Sequence, residues 1–124
     1  MKKQEEWNEL TKEEQRVILH KGTERAFTGE YNDLKENGVF ICRQCESELY
    51  RSTDKFSSGC GWPSFDEAIK GTVKNVLDKS HGMIRTEVVC NNCGGHLGHV
   101  FNDGPTETGM RYCVNSISVK FDKE

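Results

Sequence analysis

Two Cys-x-x-Cys pairs constrain this 124-residue chain more than any other feature: Cys42 with Cys45, and Cys90 with Cys93. Two thiolates at this spacing fit one tight turn, and two such turns complete the tetrahedral four-sulfur shell that structural zinc prefers. Residues 46–89 form a longer insertion than the roughly 15–20 residues of a compact zinc ribbon. We therefore expect one zinc ion that joins two distant hairpins. Iron in the same shell, redox disulfides within each pair and four ordinary buried thiols are the alternatives.

Composition sets the broad class of protein. The length predicts a single domain over residues 1–124, and only 34% of residues are hydrophobic, so a metal would help a modest core. A net charge of -3 gives no basic footprint for nucleic acid, and no apolar run approaches the roughly 20 residues that span a membrane. The N-terminus lacks the apolar segment of a secretory signal. We therefore expect a monomer in the cytoplasm. In that reducing compartment six cysteines favour metal binding or catalysis over disulfides.

Local patterns predict a mainly β domain of small antiparallel sheets. Thr11 and Glu14 fit a capping box, which predicts a peripheral helix over residues 12–20 within an N-terminal helical segment, residues 1–22. Turn signals separate several short β-rich runs, which favour hairpins. The predicted strands cover residues 39–42, 49–51, 72–77, 83–89, 99–101 and 111–121, and residues 56–65 are predicted to be loop.

The two remaining cysteines have contexts that favour redox chemistry. On the predicted last strand Arg111, Cys113 and Asn115 share one face, and the Arg111 cation would favour a Cys113 thiolate. Cys60 lies between two glycines, in a loop that could bring it to Cys113. A fixed nucleophile and a mobile second thiol are the requirements of a sulfenic-acid cycle that ends in a disulfide.

Three further side chains have two interpretations each. His96 and His99 are suited to proton transfer near neutral pH, although either could be a metal ligand beside the cysteines. Trp62 could be a core residue or an aromatic wall for a small apolar group. At this level a zinc-stabilised binding module and a general dithiol–disulfide oxidoreductase remain alternatives to a thiol enzyme with a separate metal site.

Longer motifs carry a family resemblance. Cys42-x-x-Cys45, SGCGWPSF at 58–65, SHGMIR at 80–85, CGGHLGHVFNDGP at 93–105 and RYCVNS at 111–116 resemble type B methionine-R-sulfoxide reductases. The similarity runs from about Phe27 to Phe121. One departure is Glu46, which stands where glycine is common and predicts a less regular first metal turn.

The resemblance implies a fold, an activity and a set of site residues. The fold would be two small antiparallel sheets with a peripheral N-terminal helix, clipped by zinc, in the Mss4-like β-tent arrangement. The activity would be reduction of the R epimer of methionine sulfoxide, mainly in oxidised proteins, without an organic cofactor and with thioredoxin as reductant. For the proton that the departing oxygen needs, we assign His99 as the donor, with His96 assisting. The resemblance assigns Cys113 as nucleophile, Cys60 as resolving thiol, Trp62 as the contact of the substrate methyl group, His96, His99, Arg111 and Asn115 as polar active-site residues, and Cys42, Cys45, Cys90 and Cys93 as zinc ligands.

Overall fold

The computed structural model describes residues 2–123, apart from the side chain of His81. The described chain forms two antiparallel sheets and one short α-helix, joined by tight turns and single 3-10 turns. The strands are β1 (Gly38–Cys42), β2 (Glu48–Arg51), β3 (Lys55–Phe56), β4 (Ser64–Phe65), β5 (Val73–Asp78), β6 (Arg85–Cys90), β7 (His96–Phe101), β8 (Arg111–Val114) and β9 (Val119–Lys123). The predicted mainly β architecture is confirmed.

The two sheets differ in size and in how far apart their strands lie in sequence. The small sheet has the order β2-β1-β9, so the last strand pairs with the first. The large sheet has the order β3-β4-β8-β7-β6-β5, in which β5 to β8 follow one another as a meander. Consecutive hairpins explain the meander, whereas the pairing of β9 with β1 and that of β4 with β8 join strands that are far apart in sequence.

Helix α1 (Lys12–Ile18) begins at the predicted capping box. The Thr11 hydroxyl accepts the Glu14 backbone N–H at 3.2 Å, and the Glu14 carboxylate accepts the Thr11 N–H at 2.8 Å. The helix ends two residues earlier than predicted. Lys21 takes the left-handed conformation (φ 59°), and the Gly22 N–H bonds to the Arg16 carbonyl at 2.8 Å, so the chain turns back on the helix end and satisfies one of its last carbonyls.

An aromatic cluster fills the space between the sheets. Phe40 of β1 meets Phe65 of β4 edge to face at 5.1 Å between ring centroids, and Tyr50 of β2 stacks on Phe65 at 4.5 Å. All three side chains are fully buried. Aromatic pairs at these separations add to the free energy of folding beyond the area they bury. The aromatic residues therefore hold the small sheet against the large sheet.

The prediction of one continuous last strand over residues 111–121 is wrong. The chain leaves the large sheet after Val114, makes a 3-10 turn at Ser116–Ser118 and enters the small sheet as β9. The Ser118 N–H bonds to the Asn115 carbonyl, and the Ser118 hydroxyl donates to the His96 carbonyl at 2.8 Å. The alternation predicted beyond Val114 therefore fails, because these buried serine contacts bend the chain from one sheet to the other.

The segment predicted as loop over residues 56–65 also contains regular structure. Its ends form the two-residue strands β3 and β4, which pair with each other. Strand β4 in turn pairs with β8, with Ser64 opposite Cys113. A two-residue strand gives almost no period to detect, which explains why the sequence pattern does not reveal it.

Candidate active site and metal centre

The four paired cysteines converge at the junction of the two sheets. Cys42 ends β1 in the small sheet, and Cys90 ends β6 in the large sheet. The sulfurs of Cys42, Cys45, Cys90 and Cys93 all lie within 4.8 Å of one another. A tetrahedral zinc site with Zn–S bonds of about 2.3 Å needs sulfurs roughly 3.8 Å apart. The donor set and its spacing fit a metal ion that clips the sheets together.

Both cysteine turns have the same backbone geometry. The Glu46 N–H bonds to the Cys42 carbonyl at 2.8 Å, as the Gly94 N–H bonds to the Cys90 carbonyl at 2.8 Å. Glu46 and Gly94 both have positive φ, 63° and 76°. The prediction of a less regular first turn is wrong for the backbone. The two turns differ in the residue at this position: Glu46 is a non-glycine residue in the left-handed conformation, which costs about 1–2 kcal/mol.

The reactive thiol lies in a row of residues that crosses the large sheet. Ser64 lies opposite Cys113, Cys113 opposite His99, His99 opposite Glu87, and Glu87 opposite Val76. Directly opposed residues of antiparallel strands project to the same face. The strand register thus brings Cys113 and His99, which are distant in sequence, onto adjacent strands.

Cys60 and Arg111 both contact the Cys113 sulfur. The Cys60 and Cys113 Sγ atoms are 3.3 Å apart, and Arg111 Nη1 lies 2.7 Å from Cys113 Sγ. Arg111 is held on its other side by Asp103, at 2.8 and 3.0 Å, and its guanidinium stacks on the Phe101 ring at 4.5 Å. The predicted face shared by Arg111 and Cys113 is confirmed.

The two thiols titrate as a pair. Burial raises the pKa of Cys113 to about 12 and the neighbouring Cys60 adds to this rise, whereas Arg111 opposes it. Burial also raises the pKa of Cys60, but hydrogen bonds from the Ser58 and Ser64 hydroxyls outweigh it and bring that pKa down to about 7. Arg111 thus favours the Cys113 thiolate in the predicted direction, but burial and the neighbouring Cys60 outweigh its effect on the pKa of Cys113. The pair carries one negative charge near neutral pH, and a second is suppressed by the first.

His99 is held by a carboxylate that the sequence analysis did not select. His99 Nε2 lies 2.7 Å from Asp78 Oδ2, and the Ser80 backbone N–H caps Asp78 Oδ1 at 2.9 Å. The hydrogen bond with His99 holds the pKa of the Asp78 carboxyl well below its usual range. Because the carboxylate only accepts, His99 carries its proton on Nε2 when neutral and can add a second proton on Nδ1.

His96 is buried and contacts a different carboxylate. Its Nδ1 lies 2.7 Å from Glu87 Oε2, while Glu87 Oε1 pairs with Lys21 Nζ at 3.2 Å. Burial lowers the pKa of His96 despite the opposing effect of Glu87. The His96 and His99 rings meet edge to face at 5.5 Å. His96 is not among the residues that line the cavity beside Cys113, so its contact with that site is through His99.

Asn115 and Trp62 are fixed by one segment near the N-terminus. The Glu24 N–H donates to Asn115 Oδ1 at 3.1 Å, and the Trp62 indole N–H donates to the Glu24 carbonyl at 3.0 Å. Asn115 Nδ2 donates to the Leu97 carbonyl at 3.1 Å. The Asn115 amide is thus engaged on both sides by backbone, which orients the turn that follows Cys113.

A cavity of about 280 Å³ opens over these groups. It combines sulfur, aromatic and cationic walls with one imidazole, and it is suited to a small polar group attached to an apolar one. Its lining residues are Thr23, Cys60, Trp62, Arg85, Gly98, His99, Phe101, Arg111, Cys113 and Asn115.

The structure adds residues to the site that pattern alone did not supply. Thr23, Arg85 and Phe101 line the cavity, while Asp78 and Glu87 support the histidines. One available signal was Glu87 itself, a charged residue inside the β-rich run 83–89. Asp78 gives no such signal, because it stands at the edge of a turn where aspartate is common.

A cavity with paired thiols, together with a separate four-cysteine cluster able to hold a metal in a mainly β fold, defines a class of thiol oxidoreductases. Residues 10–123 match the family model described as the SelR domain, and the chain belongs to this family. It is 55% identical over 125 residues to "Peptide methionine sulfoxide reductase MsrB" of Saccharophagus degradans, covering 99% of this chain and 93% of the relative.

Other relatives carry the same name. The protein of Leptospira interrogans is 53% identical over 125 residues, covering 99% of this chain and 95% of the relative. That of Variovorax paradoxus is 56% identical over 109 residues, covering 87% and 80%. Separately, within residues 2–123 no helix has the length and apolar character needed to cross a bilayer.

Proposed function

We propose that this protein reduces the R epimer of methionine sulfoxide in oxidised proteins to methionine, and so repairs oxidative damage. The observation that carries the proposal is the contact of the Cys60 and Cys113 sulfurs, 3.3 Å apart, beside Arg111 in one cavity. Family membership and the name shared by the relatives support the same activity.

In the first step the Cys113 thiolate attacks the sulfoxide sulfur. When the shared negative charge is on Cys113, it faces Arg111 Nη1 at 2.7 Å, which stabilises the nucleophile. The sulfoxide oxygen needs a proton as its bond to sulfur weakens, and His99 supplies it from Nδ1. Asp78 holds the opposite ring nitrogen, so that Nδ1 is the position that exchanges the proton.

The choice of epimer follows from two walls of the cavity. Trp62 packs on the methyl group of the substrate, and its ring is fixed through the Glu24 carbonyl. His99 holds the oxygen on another side of the sulfur. A chiral sulfur that must satisfy both contacts and still present its backside to Cys113 fits in one configuration. We assign His96 and Glu87 to keeping the His99 ring in place, and Asn115 to orienting the turn after Cys113.

In the second step the thiols are oxidised. The protonated oxygen passes from the substrate sulfur to Cys113 Sγ as the bond between the two sulfurs breaks, so that methionine leaves and Cys113 becomes a sulfenic acid. The Cys60 thiol then attacks the Cys113 sulfur and forms the Cys60–Cys113 disulfide with release of water. Thioredoxin then supplies the two electrons that restore both thiols. Free thiols of this kind persist in a reducing compartment, which supports a cytoplasmic location.

We also propose that Cys42, Cys45, Cys90 and Cys93 hold one structural Zn²⁺. Four convergent thiolates are the donor set that zinc prefers, and the ion would cross-link β1 to β6 without taking part in the reaction. Neither Cys60 nor Cys113 belongs to this group, which keeps both sulfurs available for the redox cycle.

The test uses peptides that contain separated R and S sulfoxides. Wild-type protein should convert only the R epimer with thioredoxin. Cys60→Ser should release about one methionine per enzyme molecule in a single turnover and then stop, because no resolving thiol remains. Cys113→Ser should release none. Conversion of the S epimer, or methionine release by Cys113→Ser, would contradict the proposal.

A further inference from the structure

Phe27 is a large apolar side chain that the proposed reaction does not use. Its ring is 69% exposed, although the residue sits beside the loop that carries Cys60. Its backbone is left-handed (φ 66°), a conformation that is uncommon for bulky residues. Strain of this kind persists only where the surrounding contacts hold it. Neighbouring contacts must therefore hold Phe27 outside the core.

Contacts with the Cys60 loop fix the position of Phe27. The Phe27 N–H donates to the Gly61 carbonyl at 2.7 Å. A side chain on Gly61 would place its Cβ 3.0 Å from two carbons of the Phe27 ring, so the ring rests directly on that glycine. On the same two segments, the carbonyl of Glu24, three residues before Phe27, accepts the indole N–H of Trp62, the residue after Gly61. Phe27 is therefore a fixed neighbour of Cys60, and its free ring face points to solvent.

The three residues that precede Cys60 are exposed and uncharged. Ser57, Ser58 and Gly59 are exposed, and the space above Gly59 is empty to 4 Å. We define the Cys60 rim as Phe27 together with residues 57–59. It offers one aromatic ring beside three small polar residues. A partner that approaches Cys60 must cross this rim, and exposed aromatic rings are the side chains that most often anchor a protein interface.

The position of the two sulfurs favours Cys60 as the one that a protein reductant attacks. Attack on Cys60 expels Cys113 as a thiolate 2.7 Å from Arg111 Nη1, and the Cys60 sulfur, now bonded to the partner, no longer adds a charge that opposes the Cys113 thiolate. Cys113 lies within the sheet, between Ser64 of β4 and His99 of β7, and faces the cavity that the substrate would enter. Cys60 lies on the loop, next to exposed residues.

We propose that the Cys60 rim is the docking surface for the protein dithiol that recycles the enzyme, with Phe27 as its apolar anchor and Cys60 as the sulfur attacked. The inference rests on the proposed function and adds the place and direction of the recycling step. The occupant is a folded protein with a surface dithiol and an apolar patch around it.

The recycling step proceeds by two thiol–disulfide exchanges. A partner thiolate attacks Cys60 Sγ, the Cys60–Cys113 bond breaks, and Cys113 leaves as a thiolate. The second partner thiol loses its proton to solvent and attacks the partner sulfur of the mixed disulfide. Cys60 then leaves as a thiolate, and the partner keeps the disulfide. Two electrons pass from the partner to the site, and the two released sulfurs share one proton near neutral pH.

The experiment compares two reductants in steady state, thioredoxin and dithiothreitol, with a peptide that contains R-methionine sulfoxide. Phe27→Asn removes the ring while keeping a residue that tolerates positive φ. We expect the KM for thioredoxin to rise about tenfold, the size of loss typical for a buried aromatic anchor. The rate with dithiothreitol should not change. Ile84→Asn is the matched control, since Ile84 is 78% exposed and lies outside the site cavity.

A trapping experiment tests the sulfur that is attacked. Thioredoxin with its second cysteine replaced by serine is mixed with the oxidised enzyme, and the mixed disulfide is mapped by mass spectrometry. We expect the link at Cys60; a link at Cys113 would overturn the proposed direction of attack. An unchanged KM for thioredoxin in Phe27→Asn would overturn the docking surface. So would a rise confined to the KM for the peptide, because Phe27 would then serve the substrate. If wild-type protein reduces no sulfoxide even with dithiothreitol, the proposed function itself fails.

Discussion

Gly98 provides the sharpest test of whether strand register sets the geometry of the site. It lies on β7 opposite Val114, one residue before His99. A Cβ added at Gly98 would stand 2.9 Å from the carbonyl carbon of Cys113 and 3.1 Å from Val114 Cα. Carbon atoms in good contact are about 3.5–4.0 Å apart. The substitution Gly98→Ala therefore has to separate β7 from β8 by about 1 Å, since both obstacles are backbone.

This separation would act directly on the reacting groups. Cys113 and His99 are a cross-strand pair at that point, so the nucleophile and its proton donor would move apart by a similar distance. A misplacement of about 1 Å typically costs ~100-fold in rate. We expect kcat/KM for the R-sulfoxide peptide to fall by about this factor, equivalent to ~2.7 kcal/mol of transition-state stabilisation. Single-turnover methionine release should fall equally, because it reports the same step.

Gly71→Ala is the matched control for this prediction. Gly71 has φ 83° with nothing within 4 Å of an added Cβ, so alanine brings backbone strain without a collision near the site. It should lower the melting temperature and leave kcat/KM unchanged. Gly98→Ala protein that stays folded by circular dichroism and keeps its activity within threefold of wild type would refute the reasoning from register.

Three further predictions concern the supporting groups. Asp78→Asn should lower kcat about 10- to 100-fold and change the pH profile of the rate, with little loss of thermal stability, because it leaves His99 without a carboxylate on Nε2. Cys45→Ser should lose the bound metal and more than ~10 °C in melting temperature, measured by metal analysis and calorimetry, whereas Cys60→Ser should keep both. The rate of methionine release in a single turnover, measured by rapid quench, should rise with pH through about 7, because the thiol pair loses its first proton there. Cys60→Ser should abolish that rise.

Local sequence patterns predicted the parts of the fold that local interactions determine. The capping box of Thr11 and Glu14 forms as expected, and the two cysteine turns bring their sulfurs together. Pattern failed where tertiary contacts decide. The bend at residues 115–118 depends on hydrogen bonds to Leu97 and His96, which lie on another strand. No property of residues 111–121 alone distinguishes this bend from a continuing strand.

The candidate site shows the same division. The alternation of side chains on one strand was enough to place Arg111 beside Cys113. The registers of β8 with β7 and of β7 with β6 determine that His99 and Glu87 continue the row from Cys113. Register is a long-range property, so local patterns identified candidates of the right chemical kind without their neighbours. It could not predict Asp78 as the partner of His99.

The distance between the two reactive sulfurs determines how the site must be used. Cys60 already stands 3.3 Å from Cys113, and a disulfide bond is about 2.05 Å, so the second step needs a movement of only ~1.3 Å. The wide swing expected of a glycine-flanked loop is unnecessary for that step. Cys60 and Arg111 both occupy positions against the Cys113 sulfur, so the sulfoxide must enter from the cavity side, past Trp62 and His99. Disulfide formation can then follow as soon as methionine leaves, and the exposure of residues 57–59 serves the later step, in which the reductant must reach Cys60.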